Sequence, residues 1–175
     1  TLAATMLSAQ EVWKARWIGK QECRSEANSW LAFKKEVNVS EVPDEMVARI
    51  AADSKYWLWI NDSLAVLEGG LKRGPSLGDT YYDEIDIAPY LRKGENCLSV
   101  LVWHFGRNGF SHADSGVAGL LFEAKAPGFE ILSDKTWDAT VYKAYGTAGE
   151  PEANYRLPES NLSFDARKDI TNWCS

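Results

Sequence analysis

From Trp30 onward the chain alternates apolar and polar positions with a period of two, in short runs broken by glycine, proline, asparagine and aspartate. This is the pattern of half-buried β-strands. Leu31, Phe33, Val37 and Val39 mark a strand over Trp30–Val39, interrupted at Lys35. The turn residues Glu41–Glu45 separate it from a second strand over Met46–Ala52, with Val47, Arg49 and Ala51 on one face and Ala48, Ile50 and Ala52 on the other. Tyr56, Leu58 and Ile60 alternate with Trp57 and Trp59, and the apolar run resumes at Leu64. Between them Asn61-Asp62 predicts a tight hairpin, because both residue types tolerate positive φ. A strand is predicted over Thr80–Ile87, followed by a helical turn with Asp86 as N-cap and Pro89 inside it. Cys97–Phe105 is the longest β-like run, and Val117–Ala126, Phe129–Leu132 and Trp137–Tyr142 are further strands. Many short strands, turn signals between them and no long amphipathic helix predict an all-β antiparallel sandwich.

One feature of the pattern departs from an ordinary sandwich. Leu98, Val100 and Val102 would face one side of the sheet, but Leu101, Trp103 and Phe105 make the other side apolar too, as do Trp57 and Trp59. A sandwich sheet normally presents polar residues outward. The second face therefore calls for a cover: the chain's own N- or C-terminal segment, another domain, or a sugar ring.

The stretch from Ala51 to Gly106 also carries a family likeness. The pattern Y-x-L-W-I-N-D, a polar loop, then Y-x-x-I-D-I-x-x-Y-L-R-K-G-E-N-x-L-S-V-L-V resembles the N-terminal jelly-roll sandwich of bacterial α-L-rhamnosidases. It is also similar to the sugar-binding domain of β-galactosidases. Trp17-Ile18-Gly19, the Trp30–Lys35 segment, and Tyr155–Asn161 with Phe164–Arg167 extend the likeness over most of the chain. The family usually has Gly after Asn in the hairpin, where this chain has Asp62. The resemblance implies a galactose-binding-domain-like jelly roll. It also implies an N-terminal lead-in over residues 1–29, a core over 30–145, and an exit segment or linker over 146–175 toward a downstream catalytic domain of the same polypeptide. The implied function is a non-catalytic domain of a larger glycoside hydrolase that supports the catalytic domain and contacts rhamnose-containing carbohydrate. A free-standing carbohydrate-binding module is the alternative, and a small enzyme in its own right is the third reading. Periplasmic or secreted placement is favoured over cytoplasmic.

Composition narrows the classes. The 175 residues suffice for one domain that buries roughly 70% of its unfolded surface. A net charge of −6 argues against nucleic acid and anionic membranes as partners. No apolar run is long enough to span a bilayer as a helix. The eight tryptophans and seven tyrosines fit an aromatic-rich core, with a few as sugar platforms. Cys23, Cys97 and Cys174 lie far apart. Their spacing suggests no zinc site, Cys97 reads as a small buried residue, and a Cys23–Cys174 bridge is conceivable.

Candidate chemistry is sparse. Asp79, Asp83, Glu84 and Asp86 are dense, but a glycosidase needs two carboxyls facing each other across a bond, and turns and strand edges are routinely acidic. His104 and His112, with Ser111 and Asp114, invite a triad, yet there is no nucleophile elbow. His104 reads as a hydrogen-bonded strand end and His112 as a solvated loop residue. No catalytic residue and no metal ligand set is assigned; a structural calcium at Asp79, Asp83 and Asp114 is the cofactor the resemblance suggests. For carbohydrate, an aromatic face flanked by planar polar groups is the requirement. One loop offers Arg73 and Asp79 beside Tyr81. A second offers His104, Arg107, Asn108 and Asp114 beside Trp103 and Phe110. Together they form a shallow site if both loops meet at one end of the sandwich.

Overall fold

The structure is a computed structural model that describes residues 12–23, 25–70, 80–109, 112–149, 161–170 and 173. Eleven strands are present among them: β1 (Ser29–Val39), β2 (Val47–Asp53), β3 (Lys55–Ile60), β4 (Ser63–Gly70), β5 (Asp83–Asp86), β6 (Gly94–His104), β7 (Gly119–Ala126), β8 (Phe129–Leu132), β9 (Asp138–Val141), β10 (Tyr145–Thr147) and β11 (Leu162–Phe164). A five-stranded sheet of order β4-β3-β6-β1-β9 faces a four-stranded sheet of order β5-β2-β7-β8, and β10 and β11 form a separate pair. Every pairing is antiparallel. The molecule is an all-β jelly-roll sandwich.

The two long strands β1 and β6 form the axis of the larger sheet, in register from Ser29↔His104 to Val39↔Gly94. Their inward rows, Leu31 and Phe33 on β1 and Leu98, Val100 and Val102 on β6, meet Ala48 and Ile50 of β2 and Leu120 and Phe122 of β7 in one core. Burying each large side chain of that set contributes about 1.5–3 kcal/mol. The hairpin expected at Asn61-Asp62 is there: both residues have positive φ, 48° and 66°, and Ile60 pairs with Ser63 across a two-residue turn.

Several local expectations need correction. The strand expected over 80–87 is shorter, because Thr80–Tyr82 lie outside β5. Asp86 does cap, but from one residue further back: Ile87 holds the N-cap position of the 3-10 turn Ala88–Tyr90, and the Asp86 carboxylate accepts from the backbone N–H of Ala88 (3.0 Å) and of Met46 (2.9 Å). Cys97 is not a plain buried residue: it is half-buried and disulfide-bonded. Cys174 and the Cys23 side chain, the pair for which a bridge was conceivable, lie outside the described residues.

The outer apolar face has its cover. Trp30 stacks between Trp103 (centroids 4.7 Å) and Tyr145 (4.2 Å), with Trp57 at 5.6 Å and Phe164 against Tyr145 at 4.9 Å. The C-terminal part of the chain thus folds back over this face. The N-terminal lead-in serves the other sheet: Ile18 bridges Leu120, and Arg16 donates its N–H to the Ser133 carbonyl, extending the edge beside β7.

Candidate functional site

The strand registers place the end of β4, the end of β6 and the start of β7 at one end of the sandwich. β4 ends where Gly70 pairs with Lys55, β6 ends at His104, and β7 begins where Gly119 pairs with Asp53. Arg73, Asp79, Phe110 and Ser111 lie outside the described residues. Tyr81 is 57% exposed at the lead into β5. The 104–116 loop, in contrast, folds inward. Trp103 is 5% exposed, stacked on Trp30, and its indole N–H donates to Asn28 Oδ1 (2.8 Å). It is closed to a sugar ring. His104 continues the inward row of β6 and is fully buried. Asn108 accepts the Asp114 backbone N–H (2.8 Å), which shapes the loop, and Arg107 is half-buried. Gly106 makes the turn possible: its φ is 67°, and a Cβ there would collide with Ala27.

What the loop assembles is a buried polar cluster centred on Asp53 and Ser54, which the sequence did not flag. Asp53, at the end of β2, receives the Ser54 hydroxyl (2.8 Å) and His104 Nδ1 (3.2 Å) on Oδ1, and the Ser115 backbone N–H (3.0 Å) on Oδ2. Ser54 Oγ also accepts the Phe105 backbone N–H (3.1 Å) and lies 3.2 Å from His112 Nε2. His112 is 4% exposed, with its ring edge-on to Phe105, so the solvated loop histidine expected from sequence is instead a core member. Burial pushes the Asp53 carboxyl up, but hydrogen bonds from His104, Ser115 and Ser54 outweigh it and hold the group at about 2. Asp53 is therefore an anion near neutral pH. Asp53, His104 and Asp114 each present a ligand-type atom within 4.8 Å of the others. The available signal was an Asp-Ser pair ending a strand of small apolar residues, Ala51-Ala52, where a turn would usually be solvated. Of the acids considered for calcium, Asp83 is engaged elsewhere, accepting the Tyr56 hydroxyl (2.9 Å) and the Gly70 N–H (2.8 Å).

A second feature lies on the outer face of the five-stranded sheet. A cleft of about 510 Å³ is lined by Trp59, Asn61, Ser99, Tyr142, Asp169 and Trp173 among others. Its floor is β-sheet and its wall is the C-terminal segment, with the Tyr142 hydroxyl donating to Asp169. Sequence placed Trp59 on an outward face but gave no means of pairing it with Trp173, 114 positions away.

No family model and no curated protein matches the chain. Solved structures do. A GH78 family rhamnosidase of Bacillus sp. GL1 superposes with a TM-score of 0.78 at 28% identity, over 92% of this chain and 17% of the rhamnosidase. The chain resembles one domain of α-L-rhamnosidases. The α-L-rhamnosidase from Dictyoglumus thermophilum gives the same picture at a TM-score of 0.67, 20% identity, 94% of this chain and 20% of that one. The rhamnosidase-like chain thus spans about a fifth of the length of these enzymes. The Pleurotus ostreatus lectin shares the fold at a TM-score of 0.50 and 18% identity, over 89% of this chain and 44% of the lectin.

Proposed function

We propose that this chain is a non-catalytic N-terminal sandwich domain of a larger, α-L-rhamnosidase-like glycoside hydrolase, which supports the catalytic domain and contacts carbohydrate. The observation that carries the reading is the superposition over 92% of this chain and 17% of a rhamnosidase at 28% identity. Chemistry supports the non-catalytic part. The Asp53 carboxylate at the loop end serves buried hydrogen bonds, and a carboxylate held by three donors and fixed as an anion makes a poor general acid.

For the carbohydrate contact, the outer cleft replaces the buried Trp103 as the better platform. Trp59, Tyr142 and Trp173 offer ring faces, while Asn61, Ser99 and Asp169 offer hydroxyl partners. Calorimetric titration with L-rhamnose and rhamnose-containing oligosaccharides tests this. Saturable binding that Trp59→Ala weakens at least tenfold is expected, and equal binding in wild type and variant contradicts the cleft as the site. The larger-polypeptide part is tested by immunoblot of the native source with antibody against this chain. A species several-fold larger than 19.5 kDa is expected. A stable native species of 19.5 kDa contradicts it.

A further inference from the structure

His104 is fully buried, and its two ring nitrogens have different fates. Nδ1 faces Asp53 Oδ1 at 3.2 Å. Asp53 Oδ1 accepts from it, which in the neutral form of the ring places the hydrogen on Nδ1 and leaves Nε2 as a bare acceptor. Nε2 has no hydrogen-bond partner, and the atom it faces is Asp114 Oδ1, 3.8 Å away, which is buried and has none either. That distance exceeds a hydrogen bond. Two acceptors aimed at each other in a buried site repel unless something positive sits between them.

We propose that His104 Nε2 and Asp114 Oδ1 bind a divalent transition-metal ion of the zinc class, with Asp53 as the positioning residue behind the histidine. The donor set chooses the class: an imidazole nitrogen with a carboxylate suits zinc and its neighbours, whereas calcium takes oxygen ligands. The spacing agrees. Zinc at about 2.0–2.2 Å from each atom in tetrahedral geometry sets them roughly 3.4 Å apart, a few tenths of an ångström from the separation found. The carboxylate–histidine–metal arrangement is completed by Asp53, whose bond to Nδ1 fixes the tautomer and the ring orientation. Ser115, which donates to Asp53, and Ser54, which bonds Asp53 and faces His112, hold that carboxylate in turn. The Asp114 side chain is 17% exposed, so a water or an oxygen-rich ligand would be needed to complete the ion's surroundings.

The test is titration of the metal-free 175-residue chain with Zn(II) by calorimetry and with Co(II) by visible absorbance. One saturable equivalent is expected, with Co(II) bands displaced by Zn(II) and unaffected by excess Ca(II). Because His104 is buried and His104→Gln is at risk of misfolding, Asp114→Asn is the main variant. It should keep the far-ultraviolet spectrum and weaken Zn(II) binding tenfold or more. Asp53→Asn should weaken it roughly 10- to 100-fold while one equivalent still binds. Nitrogen-15 spectra of the histidines should show the His104 Nε2 signal shifting with Zn(II). Absence of saturable binding, unchanged affinity in Asp114→Asn, or displacement of Co(II) by Ca(II) would each overturn the proposal.

Discussion

At Asn61 and Asp62 two adjacent residues share a left-handed backbone but differ in what they gain from it. Asn61 has φ of 48°, and its side chain ties the hairpin to its neighbours: Nδ2 donates to the Tyr90 carbonyl (3.0 Å) and Asn96 Oδ1 (2.7 Å), and Oδ1 accepts the Cys97 N–H (3.0 Å). Asp62, with φ of 66°, is exposed and bears the strain with no comparable network. Substitutions should therefore act in opposite directions. Asn61→Ala should destabilise by about 2–4 kcal/mol, from three lost hydrogen bonds and an unrelieved positive φ. Asp62→Gly should stabilise by about 0.5–1 kcal/mol, since glycine adopts this conformation freely. Urea unfolding curves measure both, and a destabilised Asp62→Gly would show that the aspartate contributes more than its backbone. This turn was legible because its chemistry is local. The polar cluster was not, because Asp53 and His104 meet across 51 positions.

The elements beside the two sheets explain why both outer faces are protected. The N-terminal lead-in is clamped by Glu123 on β7, which accepts the backbone N–H groups of Lys14 (2.6 Å) and Ala15 (3.0 Å), pairs with Arg49 and bonds Lys125 Nζ (2.7 Å). Trp13 then lies on the Arg49 guanidinium at 4.5 Å. Burial pushes the Glu123 carboxyl up, but donations from Lys125, the Ala15 N–H, Arg49 and the Lys14 N–H prevail and hold it at about 2, below its ordinary 4.5. A depressed carboxyl stabilises the fold above its unfolded value and loses that contribution as pH falls. The loss should run from about pH 4.5 down to about pH 2 and amount to on the order of 3 kcal/mol. Urea unfolding across that range should show a steeper decline in wild type than in Glu123→Gln; parallel declines would contradict it. On the other sheet, Tyr145 of β10 caps the Trp30–Trp103 stack. Tyr145→Ala should cost about 2–4 kcal/mol and shift tryptophan emission to the red as Trp30 meets water. An unshifted spectrum would mean that another segment covers the face. Alternation along β6 exposed the need for this cover. Which segment supplies it was open, since Tyr145 and Phe164 carry no periodic signal of their own.

For the whole molecule, strand order and register turn local patterns into one object: two sheets around an apolar core, a hydrogen-bonded polar cluster at one end, and an aromatic cleft on an outer face. The all-β class and most strands followed from period-two alternation, and the likeness to rhamnosidases from the Ala51–Gly106 run. The burial of Trp103 was not legible, because a tryptophan beside a polar loop looks alike in sequence whether it faces solvent or, as here, a neighbouring indole. On the proposed function the chain has a supporting part in a larger hydrolase, and bond cleavage lies elsewhere. The most direct measurement is release of the aryl group from an aryl α-L-rhamnoside by the purified 175-residue chain. The account predicts no release above the buffer blank, while the chain remains folded by circular dichroism. Saturable turnover that co-purifies with the chain and disappears in Asp169→Asn or Asp114→Asn would contradict it.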